Sequence, residues 1–196
     1  SDFLEVESRE KIDSEHAGQI IDPVMMVNGT YGMLTDWDYA FSWLGVTEII
    51  SDNADKGSAP TDGGGDKLIL DNLDHTSATG SISAMWVRFY KTIGRANLAI
   101  QYTKNYGLTN EAYKNRLIGE AKFLRALHYF WLVRMFGDVP IQEIDDTESW
   151  VVRKPKAEVY AYIEKDLTDA IALLPTKSEY ASEDLGRATK GAAQGL

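Results

Sequence analysis

The sequence predicts an all-α fold, stacked antiparallel helix hairpins with one long irregular loop, and three observations carry that expectation. Apolar residues recur at helical spacing in several long segments. Short Gly- or Pro-containing turns separate those segments, the connection that pairs helices as antiparallel hairpins. Between Ser51 and Ser81 the periodicity stops and turn-forming residues take over. No clean repeat period emerges, so hairpins are expected and a regular repeat array is not.

The first element opens at Asp22-Pro23. Asp is a good N-cap, and proline at the first helical position sacrifices only an N–H that has no partner anyway. Val24, Val27, Tyr31 and Leu34 follow on one face. A second helical stretch is expected from Tyr39 to Ile50, with Phe41, Leu44 and Ile49 as its apolar positions. The stretch from Ser51 to Ser81 reads as loop, and its apolar triplet Leu68-Ile69-Leu70 is too short to set a helix by itself. Loops of this length inside a compact domain tend to be functional or disordered.

From Ser83 to Tyr106 the stripe Trp86, Phe89, Tyr90, Ile93, Asn97 and Ile100 predicts an amphipathic helix, stopped by Gly107. Asn110 opens the next helix, which runs to Phe136 before Gly137-Asp-Val-Pro140 ends it. That helix is apolar nearly all round, which places it between neighbours. Pro155 starts a fourth, with Val159, Ile163, Leu167 and Ala170, closed by Pro175. The tail from Arg187 to Leu196 reads as the opening of a further helix, so the chain is expected to be cut from a longer protein.

Composition excludes several classes. Across 196 residues, 30 acidic side chains outnumber 20 basic ones, a net charge of −10 that argues against a nucleic-acid partner. There is no cysteine, hence no thiol nucleophile, disulfide or Cys-ligated metal. His16, His75 and His128 stand far apart without metal-ligand spacing. The most apolar stretch, Phe123 to Phe136, is broken by Arg125, His128 and Arg134 and is too short to span a membrane.

Candidate chemistry is sparse. Asp52, Asn53, Asp55, Asp62 and Asp66 offer the oxygen ligands that suit calcium, but Ala54 stands where the EF-hand pattern needs Asp or Asn. A solvated polar loop is the plainer reading, and the same groups can hydrogen-bond a hydroxyl-rich ligand; no metal and no cofactor are expected. Glu120 reads as an ion-pair partner of Arg116 one turn earlier. Arg125, His128 and Arg134 read as partners of neighbouring carboxylates or carbonyls. No nucleophile–base–orienter set emerges, so no catalytic residue is expected. Trp86 and Trp131 read as core. Trp37, Tyr39 and Trp43, just before the loop, suit either core packing or stacking on the apolar faces of sugars.

The run GEAKFLRALHYFWLVRMFGDVP at 119–140 resembles the hallmark helix of the SusD/RagB family, whose pattern is roughly E-A-x-F-L-R-A-x-x-Y-F-x-L-V-x-x-[FY]-G-x-V-P. Trp86, Tyr90, Ile93, Ala96 and Asn97 resemble the family's preceding helix. SDNADKG at 51–57 is similar to its S-D-[DN]-A-x-K-G loop, and GRATKGAAQGL at 186–196 is similar to a later helix. The resemblance covers the whole chain.

It implies a divergent tetratricopeptide-like superhelix, with residues 1–196 as the N-terminal half of a longer protein. It also implies a non-catalytic surface lipoprotein of the Bacteroidetes outer membrane, held by a lipid anchor on a cysteine upstream of this chain. Such proteins capture oligosaccharides, or peptides in some members, for a SusC-like TonB-dependent transporter. The family's hallmark helix is structural and its ligand residues sit in variable loops. The expected ligand-binding residues are therefore Trp37, Trp43, Asp52, Asn53, Asp55 and Lys56. A helical-repeat scaffold that binds only protein is the rival reading.

Overall fold

The computed structural model describes residues 22–51, 53–59, 61–62, 65–143 and 152–196. Helix α1 (Pro23–Tyr31) begins where expected, with the Asp22 carboxylate accepting from the Val24 N–H at 2.9 Å. A 3₁₀ turn at Gly32–Thr35 leads to α2 (Trp37–Leu44), which runs into a π-helical turn at Gly45–Ile49. Asp36 caps α2, accepting from the Tyr39 N–H at 3.1 Å, so the helix starts two residues earlier than the periodicity suggests.

The expected loop contains a short helix, α3 (Asp66–Asp71). A helix this short has no stability of its own. It is held because Leu70 is fully buried and because Asp66 is tied to the next helix. That helix, α4 (Gly80–Asn105), starts ahead of the expected Ser83 for the same reason. The acceptor for its Ser81 N–H is the Asp66 carboxylate at 3.0 Å, from fifteen residues away, which local reading cannot see.

Asn110 caps α5 (Glu111–Phe136) through the Tyr113 N–H at 3.0 Å, and Gly137 ends it. Gly137 has φ 75° and ψ −128°, a conformation costly for any residue with a Cβ. A two-residue antiparallel ribbon follows, β1 (Val139–Pro140) with β2 (Arg153–Lys154), pairing Val139 with Lys154. Helix α6 (Lys156–Leu173) starts after Pro155, and α7 (Lys190–Gly195) is capped by Thr189.

The helices stack in chain order. The central α5 packs against both α4 and α6, α1 lies across α4 and α5, α2 lies on α4, and α7 lies on α6. Phe89 and Ile93 meet Tyr129, Leu132, Val159 and Ile163 in the main core. Val27, Ala99, Leu117 and Ala121 form a second cluster that joins α1 to the hairpin. The all-α hairpin architecture read from the sequence is the architecture found.

Polar residues of α5 fasten this stack. Arg125 makes a two-pronged pair with Asp166 of α6, Nε to Oδ2 and Nη2 to Oδ1 both at 2.7 Å, while its Nη1 donates to Asn97 of α4 at 2.7 Å. Glu120 is fully buried and pairs with Arg116 at 3.3 Å, as expected, and with Arg187 at 2.8 Å. Burial raises the Glu120 carboxyl above its ordinary range, and the two guanidiniums only partly counter that. His128 is buried; its Nδ1 lies 2.6 Å from the Leu124 carbonyl, which accepts from it, leaving Nε2 to accept from the Tyr39 hydroxyl at 3.1 Å.

Candidate functional site

The most exposed aromatic surface among the described residues lies on α2. Residues spaced i, i+4 and i+7 share one helical stripe, and here they are Trp37, Phe41 and Leu44, 76%, 39% and 44% exposed. Burying large apolar side chains is the main drive of folding, so a contiguous exposed stripe is a candidate contact surface. The Trp37 and Phe41 rings lie 5.7 Å apart, only 10° from parallel. The opposite face of α2 is anchored in the core. Tyr39 is buried, and Trp43 is half-buried against Tyr39, Phe89 and Trp131, with 4.7 Å between the two indoles.

Two devices fix the stripe in place. Arg88 of α4 bonds to Asp38 and lies 3.5 Å from Asp36, pinning the first turn of α2. Beside Phe41, the Lys67 ammonium lies 4.2 Å from the ring centroid, a cation–π contact. Lys67 is only 5% exposed, so its charge needs a partner, and it has one in Asp66 at 3.3 Å. It also donates to the Ser81 hydroxyl, which in turn donates to Asp66. Burial opposes charge on Asp66, but the bonds from Ser81 and Lys67 outweigh it and hold the carboxyl below its ordinary value.

Gly45 makes this arrangement possible. A Cβ there would sit 2.7 Å from Lys67 Nζ and 2.9 Å from Leu70 Cδ1. The missing side chain thus admits Lys67 and Leu70 of α3 against the end of α2.

The loop residues are placed differently from one another. Asn53 is exposed, its N–H donating to the Glu48 carbonyl at 3.1 Å and its amide reaching Glu48 Oε2 at 3.4 Å. That ties it to the far end of the segment that carries Trp37. Asp55 is exposed. Lys56 turns back on its own loop, donating to Ser58 Oγ at 3.0 Å and to the Ala59 carbonyl. Asp52 lies outside the described residues. Asp66, one of the oxygen groups weighed for a cation, is committed to Lys67 and Ser81 instead.

Phe41 and Leu44 are the functional candidates that sequence reading took only as helix-forming apolar positions. Their i+4 and i+7 spacing from Trp37 was the available signal, and what hid it was the inward turn of Tyr39 and Trp43 between them. Two grooves are lined by other residues. One of about 270 Å³ runs along Trp86, Phe136 and Arg153, and one of about 510 Å³ along Tyr113, Arg116, Tyr180 and Lys190. Among the described residues no cluster of three or more His, Asp or Glu could hold a metal ion, and no helix is long and apolar enough to cross a membrane.

A hairpin stack of helices that carries an exposed aromatic stripe on α2, followed in the chain by a polar loop, is the architecture of a helical scaffold. The chain belongs to the SusD-like family: the family model described as "Starch-binding associating with outer membrane" matches residues 2–196. It is 35% identical over 156 residues to SusD-like protein P2 of Formosa agariphila, covering 76% of this chain and 30% of that protein. The fold is similar to that of a laminarin-binding SusD-like protein, with a TM-score of 0.71 at 26% identity over 88% of this chain and 37% of that one. It is also similar to a SusD homologue of Bacteroides thetaiotaomicron, with a TM-score of 0.74 at 25% identity over 89% and 34%. The chain therefore spans about a third of the length of these relatives.

Proposed function

We propose that this chain is the N-terminal part of a non-catalytic surface lipoprotein that captures oligosaccharides and passes them to a SusC-like TonB-dependent transporter in the outer membrane. The observation that carries the reading is the exposed, nearly parallel pair Trp37 and Phe41, mounted on a helix whose other face is packed into the core. Flat apolar rings offer dispersion contact to the C–H faces of a pyranose without demanding that its hydroxyls be desolvated. Asn53 and Asp55 are the exposed polar groups of the loop that would bond those hydroxyls; Asp52, outside the described residues, is kept as a further candidate, and Lys56, held by Ser58 and Ala59, would have to release those bonds to join them. Trp43 contributes mainly by packing beneath α2. The family's starch-binding description and the laminarin-binding relative support a glycan ligand.

The test is isothermal titration of the intact protein, freed of its lipid anchor, against a panel of neutral oligosaccharides and short peptides. The reading predicts saturable binding to at least one sugar class and no new reducing ends on prolonged incubation with polysaccharide. Heat released by peptides alone would replace the glycan with a peptide ligand. Silence towards both, with a protein partner retained, would favour the protein-binding scaffold.

A further inference from the structure

Resting on the glycan reading of the α2 face, we infer that this site selects uncharged glycans and excludes those bearing uronate or sulfate. The charge distribution carries the inference. Between residues 36 and 76 stand nine acidic residues and two lysines, a net −7 out of the chain's −10. About a fifth of the sequence, the part that holds the aromatic stripe and its loop, thus carries most of the net negative charge.

Among the described residues, both lysines of this segment and the arginine that pins α2 are committed. Lys67 is buried against Asp66 and Ser81. Lys56 is folded onto Ser58 and Ala59 of its own loop. Arg88, contributed by α4, is held by Asp36 and Asp38. Asp38, Glu48, Asp55, Asp62 and Asp74 are exposed. An incoming carboxylate or sulfate would meet that field with Lys56, Lys67 and Arg88 already taken, and like-charge juxtaposition is costly. Carboxylates also accept hydrogen bonds and cannot donate them. They therefore complement the hydroxyl donors of a neutral sugar and oppose the acceptor-only oxygens of an anionic one.

The experiment titrates maltohexaose and laminarihexaose, each beside the same oligosaccharide oxidised at C6 to the uronate, into the intact protein at pH 8. Titrations are run at 10 mM and at 500 mM salt, because screening shortens from about 30 Å at 0.01 M to about 3 Å at 1 M. The neutral sugar that binds is expected to do so equally at both salts. Its oxidised form is expected to bind about tenfold more weakly at 10 mM, with the gap closing to about threefold or less at 500 mM.

Asp74→Asn, outside the proposed contacts, is expected to narrow the low-salt gap while leaving the neutral sugar unaffected. Oxidised and neutral sugars binding alike at 10 mM, both weakened by Trp37→Ala, would overturn the selectivity and leave the glycan site standing. Binding of neither sugar, or binding indifferent to Trp37→Ala, would overturn the site and the selectivity with it.

Discussion

Replacing Asp166 by Ala tests whether α5 is clamped to α6 by charge. Asp166 is 2% exposed and receives both prongs of the Arg125 guanidinium at 2.7 Å, with Lys122 a further 3.4 Å away. Removing the carboxylate leaves Arg125 with the neutral Asn97 oxygen and the Tyr162 ring, whose centroid lies 5.1 Å from the guanidinium carbon. Lys122 keeps Asp169 as a partner. The substitution therefore strands one buried charge, and breaking a buried pair in this way costs about 3–5 kcal/mol. For a chain of this size that corresponds to a fall of about 6–20 °C in Tm. Equilibrium urea unfolding followed by circular dichroism reads the loss directly. The double change Arg125→Met with Asp166→Leu removes both charges and is expected to restore stability to within about 1 kcal/mol of the original. A loss below about 1 kcal/mol for Asp166→Ala alone would refute the clamp.

Three further outcomes follow from the same geometry. Burial lowers the His128 imidazole from 6.5 to about 4, so the folded protein holds it neutral. Its contribution is full above pH 6.5 and is lost as pH falls from there towards 4, by about 3 kcal/mol. Glu120, raised by burial, works the other way in acid, so the His128 contribution is read as the difference in slope between the protein and His128→Gln; parallel slopes would contradict it. Gly137→Ala, at φ 75°, is expected to cost about 1–3 kcal/mol in urea unfolding, and an unchanged midpoint would show that the turn relaxes freely. Lys67→Met removes the cation beside Phe41 and leaves Asp66 to Ser81 alone; a loss of about 1–3 kcal/mol is expected, and none would mean that Lys67 contributes nothing net.

Helix starts that depend on neighbours in sequence were legible. Asp22, Asn110 and Pro155 each stand where the structure opens a helix, the first two because a cap acts within three residues and the third because its ring fixes φ at the helix entry. The start of α4 was not legible, since its acceptor, Asp66, arrives through the fold. The same contrast holds for Glu120: Arg116 lies one turn away and could be read, whereas Arg187 is brought from 67 residues along the chain. At the candidate site, exposure decides the matter, and exposure is a property of the packed molecule. Trp37 and Trp43 lie in one short helix with equal claims in the sequence, yet α4 and α5 cover one indole and leave the other free. The bonds of Lys56 to Ser58 and Ala59 were not legible either, because they depend on how the loop folds back.

The most direct test of the central claim is the change in oligosaccharide affinity of the intact protein when Trp37 becomes Ala. A tryptophan that covers about 80 Å² of sugar surface contributes about 2 kcal/mol, and each 1.4 kcal/mol is tenfold in Kd. The account predicts a Kd about 10- to 30-fold weaker, with circular dichroism unchanged because the ring is largely exposed and stacks only on the exposed Phe41. Phe41→Ala should weaken binding in the same direction. A Kd within about twofold of the original for Trp37→Ala would contradict the account and move the glycan site off this face.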